Sequence, residues 1–217
     1  MNLIFIPFIL IAYLLGSIPF GLLIAKAHGK DLRKIGSGNI GATNVSRALG
    51  KKWAYLCFAL DVAKGLIPMI AVKPFVGVNP EIGMMLLWIC VGTAAVIGHI
   101  FPIYLKFKGG KGMSTSLGIV LGLYPYYTIS GLIAFAVWGI CVLIWKYVSL
   151  GSIVASIAFP IVLIVSIIVR DSWQFANLWP LVIIAICLMA LVIVRHVENI
   201  KRLIEGSENK IKSKKTS

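Results

Sequence analysis

Residues 113–127 read MSTSLGIVLGLYPYY, and whether this stretch crosses a membrane decides the side on which everything after it lies. As a helix it would be about 22 Å long, short of a hydrocarbon layer of about 30 Å. The surrounding sequence defines the medium. The 217 residues are 59% hydrophobic, with a mean hydropathy of +0.97. Five plain apolar runs, 3–25, 53–72, 82–105, 128–145 and 150–169, and a sixth at 176–195, are long enough to span as helices. This excludes a soluble globule. It predicts an all-α, polytopic integral membrane protein, a single domain over 1–217 with a basic cytoplasmic tail from about 207. The first run has no basic residue before it, is too long for the apolar part of a signal peptide and is followed by Lys26 and Lys30, so it is expected to remain as a span.

Charge settles the parity. If 113–127 crosses, residues 26–52, 106–112, Lys146 and the segment from Arg195 all face one side. That side then holds 18 of the 21 lysines and arginines, all but Lys64, Lys73 and Arg170. If it does not cross, the seven basic residues of the C-terminal segment lie opposite the seven of 26–52, against the tendency of basic loops to stay cytoplasmic. The expectation is therefore seven crossings, one of them short, with the N-terminus outside and the C-terminus cytoplasmic in the cell (inner or plasma) membrane. Topology then accounts for the net charge of +14, and no nucleic-acid partner is implied. Lys51, Lys52 and the terminal lysines read as topology signals or contacts to anionic membrane lipids.

That topology gathers three polar stretches at the cytoplasmic face: GSGNIGATNVSR (36–47), KFKGGKG (106–112) and HVENIKRLIEGSE (196–208). The first contains G-x-G-x-x-G, but a charged segment precedes it where a dinucleotide fold needs a strand, so that reading fails. GGKG lacks the spacing of a Walker loop. Glycines interleaved with cations instead suit an anion cradle, in which close-packed amides and side-chain charges converge on phosphate. The second stretch feeds a helix N-terminus carrying Ser114 and Thr115, itself an anion site. Asp61 and Lys64, at i and i+3 in an apolar helix, are either a structural ion pair beneath the loops or substrate contacts. His99 is either a packing histidine or a site residue, and His28 is a solvated one. Cys57, Cys90, Cys141 and Cys187 lie in apolar runs without CxxC or zinc spacing and are expected to be packing residues. No metal or cofactor is expected.

Taken together, the three stretches resemble the bacterial membrane glycerol-3-phosphate acyltransferases that use acyl phosphate, the PlsY family. The first family motif is complete at 36–47, and the third, His-x-x-Asn-Ile-x-Arg-Leu-x-x-Gly-x-Glu, is matched in full at 196–208. The second reads KGGKGMST at 108–115, with Ser114 where alanine is usual. D-x-x-K-G at 61–65 and GHIFP at 98–102 extend the likeness along the chain.

The resemblance implies transfer of a long-chain acyl group from acyl phosphate to the 1-hydroxyl of glycerol 3-phosphate, giving lysophosphatidic acid and phosphate. It implies catalytic roles for Ser37, Arg47, Lys111, His196 and Asn199. Substrate binding falls to Gly38, Asn39, Gly41, Thr43, Asn44, Lys106, Lys108, Gly109, Gly110 and Thr115, and structural support to Asp61, Lys64, Arg202 and Glu208. The donor is a mixed anhydride with a good leaving group, so no acyl-enzyme is needed. The absence of G-x-S-x-G and of H-x4-D agrees with this. The proton can go to His196 or to a phosphate oxygen of the donor, and the second is favoured because a histidine among so many cations suits a neutral role. Two rivals remain: a transporter or flippase of a phosphorylated solute, against which stands the lack of an internal repeat, and an acyl-CoA-dependent O-acyltransferase using His99. Gly16, Pro19, Gly118, Gly122 and Pro160 mark close helix contacts or kinks that could open a slot for an acyl tail.

Overall fold

A computed structural model describes residues 3–77 and 81–211. Among them are ten α-helices and two short 3-10 turns, falling into two compact units, Met1–Thr128 and Ile129–Ser217. Six helical stretches are long and apolar enough to cross a membrane: Phe5–Ala27, Lys51–Val76, Ile82–Leu105, Thr128–Trp145, Val148–Val169 and Phe175–Arg195. They match the six apolar runs to within four residues at each end.

In the first unit, α1 (Phe5–Ser17) stops at Ile18 and α2 (Phe20–Ala27) continues beyond Pro19. Pro19 has no N–H for the helical ladder and disfavours helical geometry in the residue before it, which breaks the expected single span. After a 3-10 turn at Leu32–Lys34 come α3 (Ala42–Leu49), α4 (Lys51–Val76) and α5 (Ile82–Ile100). Ala25, Leu32, Val45 and Cys57 form a buried core joining α2, α3 and α4 below the first polar stretch. A second turn, Ile103–Leu105, leads to α6 (Met113–Gly122).

Glycine dictates which helices touch. A Cβ on Gly16 would run into the Ala95 backbone, and one on Gly98 would run into Tyr13 and Ser17, so α1 and α5 lie backbone to backbone. Gly65 against Thr115 and Gly118 against Val62 and Leu66 do the same for α4 and α6. The helix in the 113–127 stretch ends at Gly122. Its 10 residues rise about 15 Å, so the remainder of the stretch is turn. Leu123 and Tyr127 are fully buried there, and Thr128 Oγ1 donates to the Val120 carbonyl at 3.0 Å.

The second unit contains α7 (Thr128–Trp145, which starts at the boundary), α8 (Val148–Val169), α9 (Phe175–Arg195) and α10 (Val197–Ile204). α8 and α9 pack together, and α8 runs without interruption through Pro160. Of the basic tail, residues 207–211 dock onto the turn between α7 and α8. Ile211 N donates to the Lys146 carbonyl at 2.8 Å, and Lys210 lies over the Tyr147 ring. Residues 212–217 lie outside the described residues. Cys57 and Cys141 are buried as expected, but Cys90 and Cys187 face outward, where an apolar helix presents whatever side chain falls on its outer face.

Candidate active site

The first polar stretch is held in shape by its own asparagines. Asn44, at 1% exposure, opens the first turn of α3. Its Oδ1 accepts from Ser37 N (3.1 Å), and its Nδ2 donates to the carbonyls of Leu32, Ile35 and Asn39 (2.9, 2.9 and 2.8 Å). Asn39 Oδ1 accepts from Gly41 N at 2.8 Å, an Asx turn that leads into the helix. Gly36 and Gly38 take φ of +57° and +67°, which L side chains adopt rarely. A Cβ on Gly36 would also collide with Asn44 Oδ1. The frame thus presents Ser37, Thr43 and Arg47 on its exposed side.

The second stretch wraps the end of α5. Gly109 N donates to Ile100 O (3.1 Å) and Gly110 N to His99 O (3.0 Å). Lys106 and Phe107 both have positive φ, 51° and 62°, a conformation costing on the order of 1–3 kcal/mol per non-glycine residue. Arg33 Nη2 donates to the Lys108 carbonyl at 3.1 Å and so ties the two stretches together. Lys106 and Lys108 are exposed, Lys111 is half-buried, and Gly112 in the left-handed region caps α6. In the first turn of that helix Thr115 is fully buried, and its hydroxyl has no hydrogen-bond partner among the described residues. The N-terminal amides of α6 have no side-chain cap, as suits an anion-facing helix end.

Beneath lies a buried charged cluster. Lys64 Nζ sits 2.9 Å from Asp61 Oδ1 and donates to the Ile18 carbonyl at 2.9 Å. It therefore satisfies a backbone oxygen at the α1–α2 break. His99, also buried, has Nδ1 3.7 Å from Asp61 Oδ1. His28 is exposed as expected, with its ring against Trp53.

In the second unit, His196 forms the junction of α9 and α10 and is 2% exposed. Its Nδ1 lies 2.7 Å from the Val192 carbonyl and must donate to it, so a neutral ring carries its lone pair on Nε2. Asn199 Nδ2 and Ser149 Oγ donate to Glu208 Oε1 (2.8 and 3.0 Å), and Arg202 Nε pairs with Oε2 at 2.8 Å. Arg202 and Glu208 thus lock the tail segment to α8 and α10. Burial alone would raise the Glu208 carboxyl. The hydrogen bonds from Arg202, Asn199 and Ser149 outweigh it and hold the group below the usual glutamate range. A folded value below the unfolded one makes the docking contribution fully present above the unfolded value, about 4.3, and lost as pH falls through the folded value. Amide exchange of residues 205–211 is expected to accelerate as pH falls below about 4, after correction for intrinsic rates, and Glu208→Gln should remove that dependence.

Three participants were not legible as site residues: Arg33, which ties the loops, Asp31, whose Oδ1 caps the Arg33 amide at 3.0 Å, and Ser149. Only Asp31 had a local signal, a carboxylate two residues before the amide it caps.

The fold is that of a polytopic helical membrane protein in which two glycine-rich cationic loops are tied together near a helix N-terminus. The family model described as glycerol-3-phosphate acyltransferase matches residues 6–206, and the chain belongs to that family. A glycerol-3-phosphate acyltransferase of Aquifex aeolicus is 45% identical over 208 residues, covering 93% of this chain and 96% of the relative. One from Geobacter sulfurreducens is 42% identical over 205 residues, covering 94% and 95%. The fold is similar to crystal structures of PlsY (YgiH), an integral membrane glycerol 3-phosphate acyltransferase, at 43% identity. The glycerol 3-phosphate form has a TM-score of 0.81 with 96% of each chain covered, and the lysophosphatidic acid form 0.77 with 96% and 95% covered.

Proposed function

We propose that this protein transfers a long-chain acyl group from acyl phosphate to the 1-hydroxyl of glycerol 3-phosphate, at the cytoplasmic face of the cell membrane. The single observation that carries the reading is the tie from Arg33 to the Lys108 carbonyl, which holds the Ser37–Arg47 loop beside the Lys106–Lys111 loop. Two polyanions could be gripped there together. The bound forms of the similar protein, named for glycerol 3-phosphate and lysophosphatidic acid, are the acceptor and the product of this reaction.

In the proposed step the glycerol 1-oxygen attacks the acyl carbonyl carbon and the bond from that carbon to the phosphate oxygen breaks. Inorganic phosphate leaves, and the hydroxyl proton passes to a phosphate oxygen of the donor. Ser37, Thr43 and Arg47 hold the donor phosphate and carbonyl, while Lys106, Lys108, Lys111 and the Thr115 hydroxyl receive glycerol phosphate; Gly109 and Gly110, whose amides donate to the Ile100 and His99 carbonyls, shape the second loop. Asn39 and Asn44 act by shaping the first loop. By motif position His196 and Asn199 orient the acceptor hydroxyls. Orientation and electrostatic stabilisation carry the rate. Seven crossings, with the stretch at 113–127 as the short one and the C-terminus inside, put 18 of 21 cations on the cytoplasmic side.

Purified protein given labelled glycerol 3-phosphate is expected to form lysophosphatidic acid with acyl phosphate and none with acyl-CoA. Product from acyl-CoA would favour the coenzyme-dependent rival, and transport without product the carrier. Ser37→Ala is expected to leave measurable turnover, because a hydrogen-bonding hydroxyl is dispensable in a way a covalent nucleophile is not.

A further inference from the structure

Among the described residues, His99 belongs to a buried charged cluster that the proposed reaction leaves without a role. It is 5% exposed, beside Asp61 and Lys64, themselves 2% and 5% exposed. Asp61 faces two ways. Through Lys64 it reaches the Ile18 carbonyl at the α1–α2 break, and from the other side His99 Nδ1 approaches the same carboxylate oxygen. The His99 carbonyl receives the Gly110 amide. A Cβ on Gly110 would fall on the imidazole itself, at Nε2, with Cδ2 and Cε1 each 2.9 Å away. The imidazole is therefore the floor on which the second cationic loop rests, and only glycine leaves room for it.

We infer that His99 is a positioning residue for glycerol 3-phosphate, oriented by Asp61 and acting through the Gly109–Lys111 backbone without touching the reacting atoms. The inference rests on the reading that this loop receives glycerol phosphate. The imidazole sets the height of the Gly110 amide and, one residue on, the origin of the Lys111 side chain. A displaced loop moves the Lys111 cation, so the loss should concentrate in acceptor binding.

The geometry supplies a suppressor test. Gly110→Ala is expected to raise KM for glycerol 3-phosphate about tenfold or more, with kcat within a few-fold of wild type. His99→Gln, which keeps a polar side chain of similar reach, should shift KM in the same direction by less. The double variant His99→Ala/Gly110→Ala should bind better than Gly110→Ala alone, because removing the ring vacates the space the new methyl group needs. Calorimetric Kd values for glycerol 3-phosphate, measured on the same full-length proteins in detergent, should follow KM. Additive losses in the double variant would overturn the inference. So would a His99→Gln protein that loses kcat at unchanged KM, which would put the ring on the reacting atoms, or one with wild-type KM and Kd, which would leave it a packing residue. If the wild type transfers nothing from acyl phosphate, the functional reading fails by itself, and the calorimetry still decides the role of His99.

Discussion

Replacing Lys111 with alanine is expected to lower kcat/KM for acyl transfer by about 10²–10³, and Arg47→Ala to do the same. Each removes one fixed positive charge from a site that, in the proposed reaction, holds two phosphates within bonding distance against their mutual repulsion. Arg47 lies on the exposed side of α3, in its last turn, and Lys111 is half-buried between Gly110 and Gly112. Neither charge is sealed in the core, so membrane insertion and thermal stability should change little. Transfer assays at saturating and limiting glycerol 3-phosphate, beside size-exclusion profiles, separate the two kinds of loss. Wild-type turnover in either variant would remove that residue from the mechanism.

Asn44→Ala is expected to abolish activity by a different route. Its amide is the hub of the first loop, accepting from Ser37 N and donating to three carbonyls. Truncation strips partners from several part-buried backbone groups, at about 1–3 kcal/mol for each left unsatisfied. The loop should lose its order before the helices do, since the apolar core beneath it is untouched. Hydrogen exchange should then show faster exchange confined to residues 35–41. Asn44→Asp should be as severe: it keeps the acceptor for Ser37 N but turns a charged oxygen toward carbonyls that need a donor. Unchanged exchange, with only the catalytic parameters altered, would show that Asn44 acts on substrate and not on the loop.

The contrast between these residues marks where sequence reading stops. Hydropathy located the six long helices because the bilayer imposes a length that composition alone can meet. The i, i+3 spacing of Asp61 and Lys64 put both on one helix face. Their third partner, the Ile18 carbonyl 46 residues away, is a tertiary contact that no local pattern encodes. Motif position named Asn44 and Asn199 as polar residues of interest. It did not separate a side chain turned to substrate from one that folds the loop, and the structure turns the Asn44 amide onto backbone and the Asn199 amide onto Glu208. The helix in the 113–127 stretch ended early, at Gly122, because uniform apolarity hides where a turn begins. Positive φ at Lys106 and Phe107 left no trace in residue type.

The account depends on the three polar stretches sharing one side of the membrane. Single cysteines at Ser37, Lys108 and Ser207, in a background lacking the four native ones, can be labelled in sealed vesicles of known orientation with a membrane-impermeant maleimide. All three are expected to react from the cytoplasmic side alone. Labelling of Ser207→Cys from the side opposite to Ser37→Cys would contradict the account, for the third motif could not then serve the same reaction.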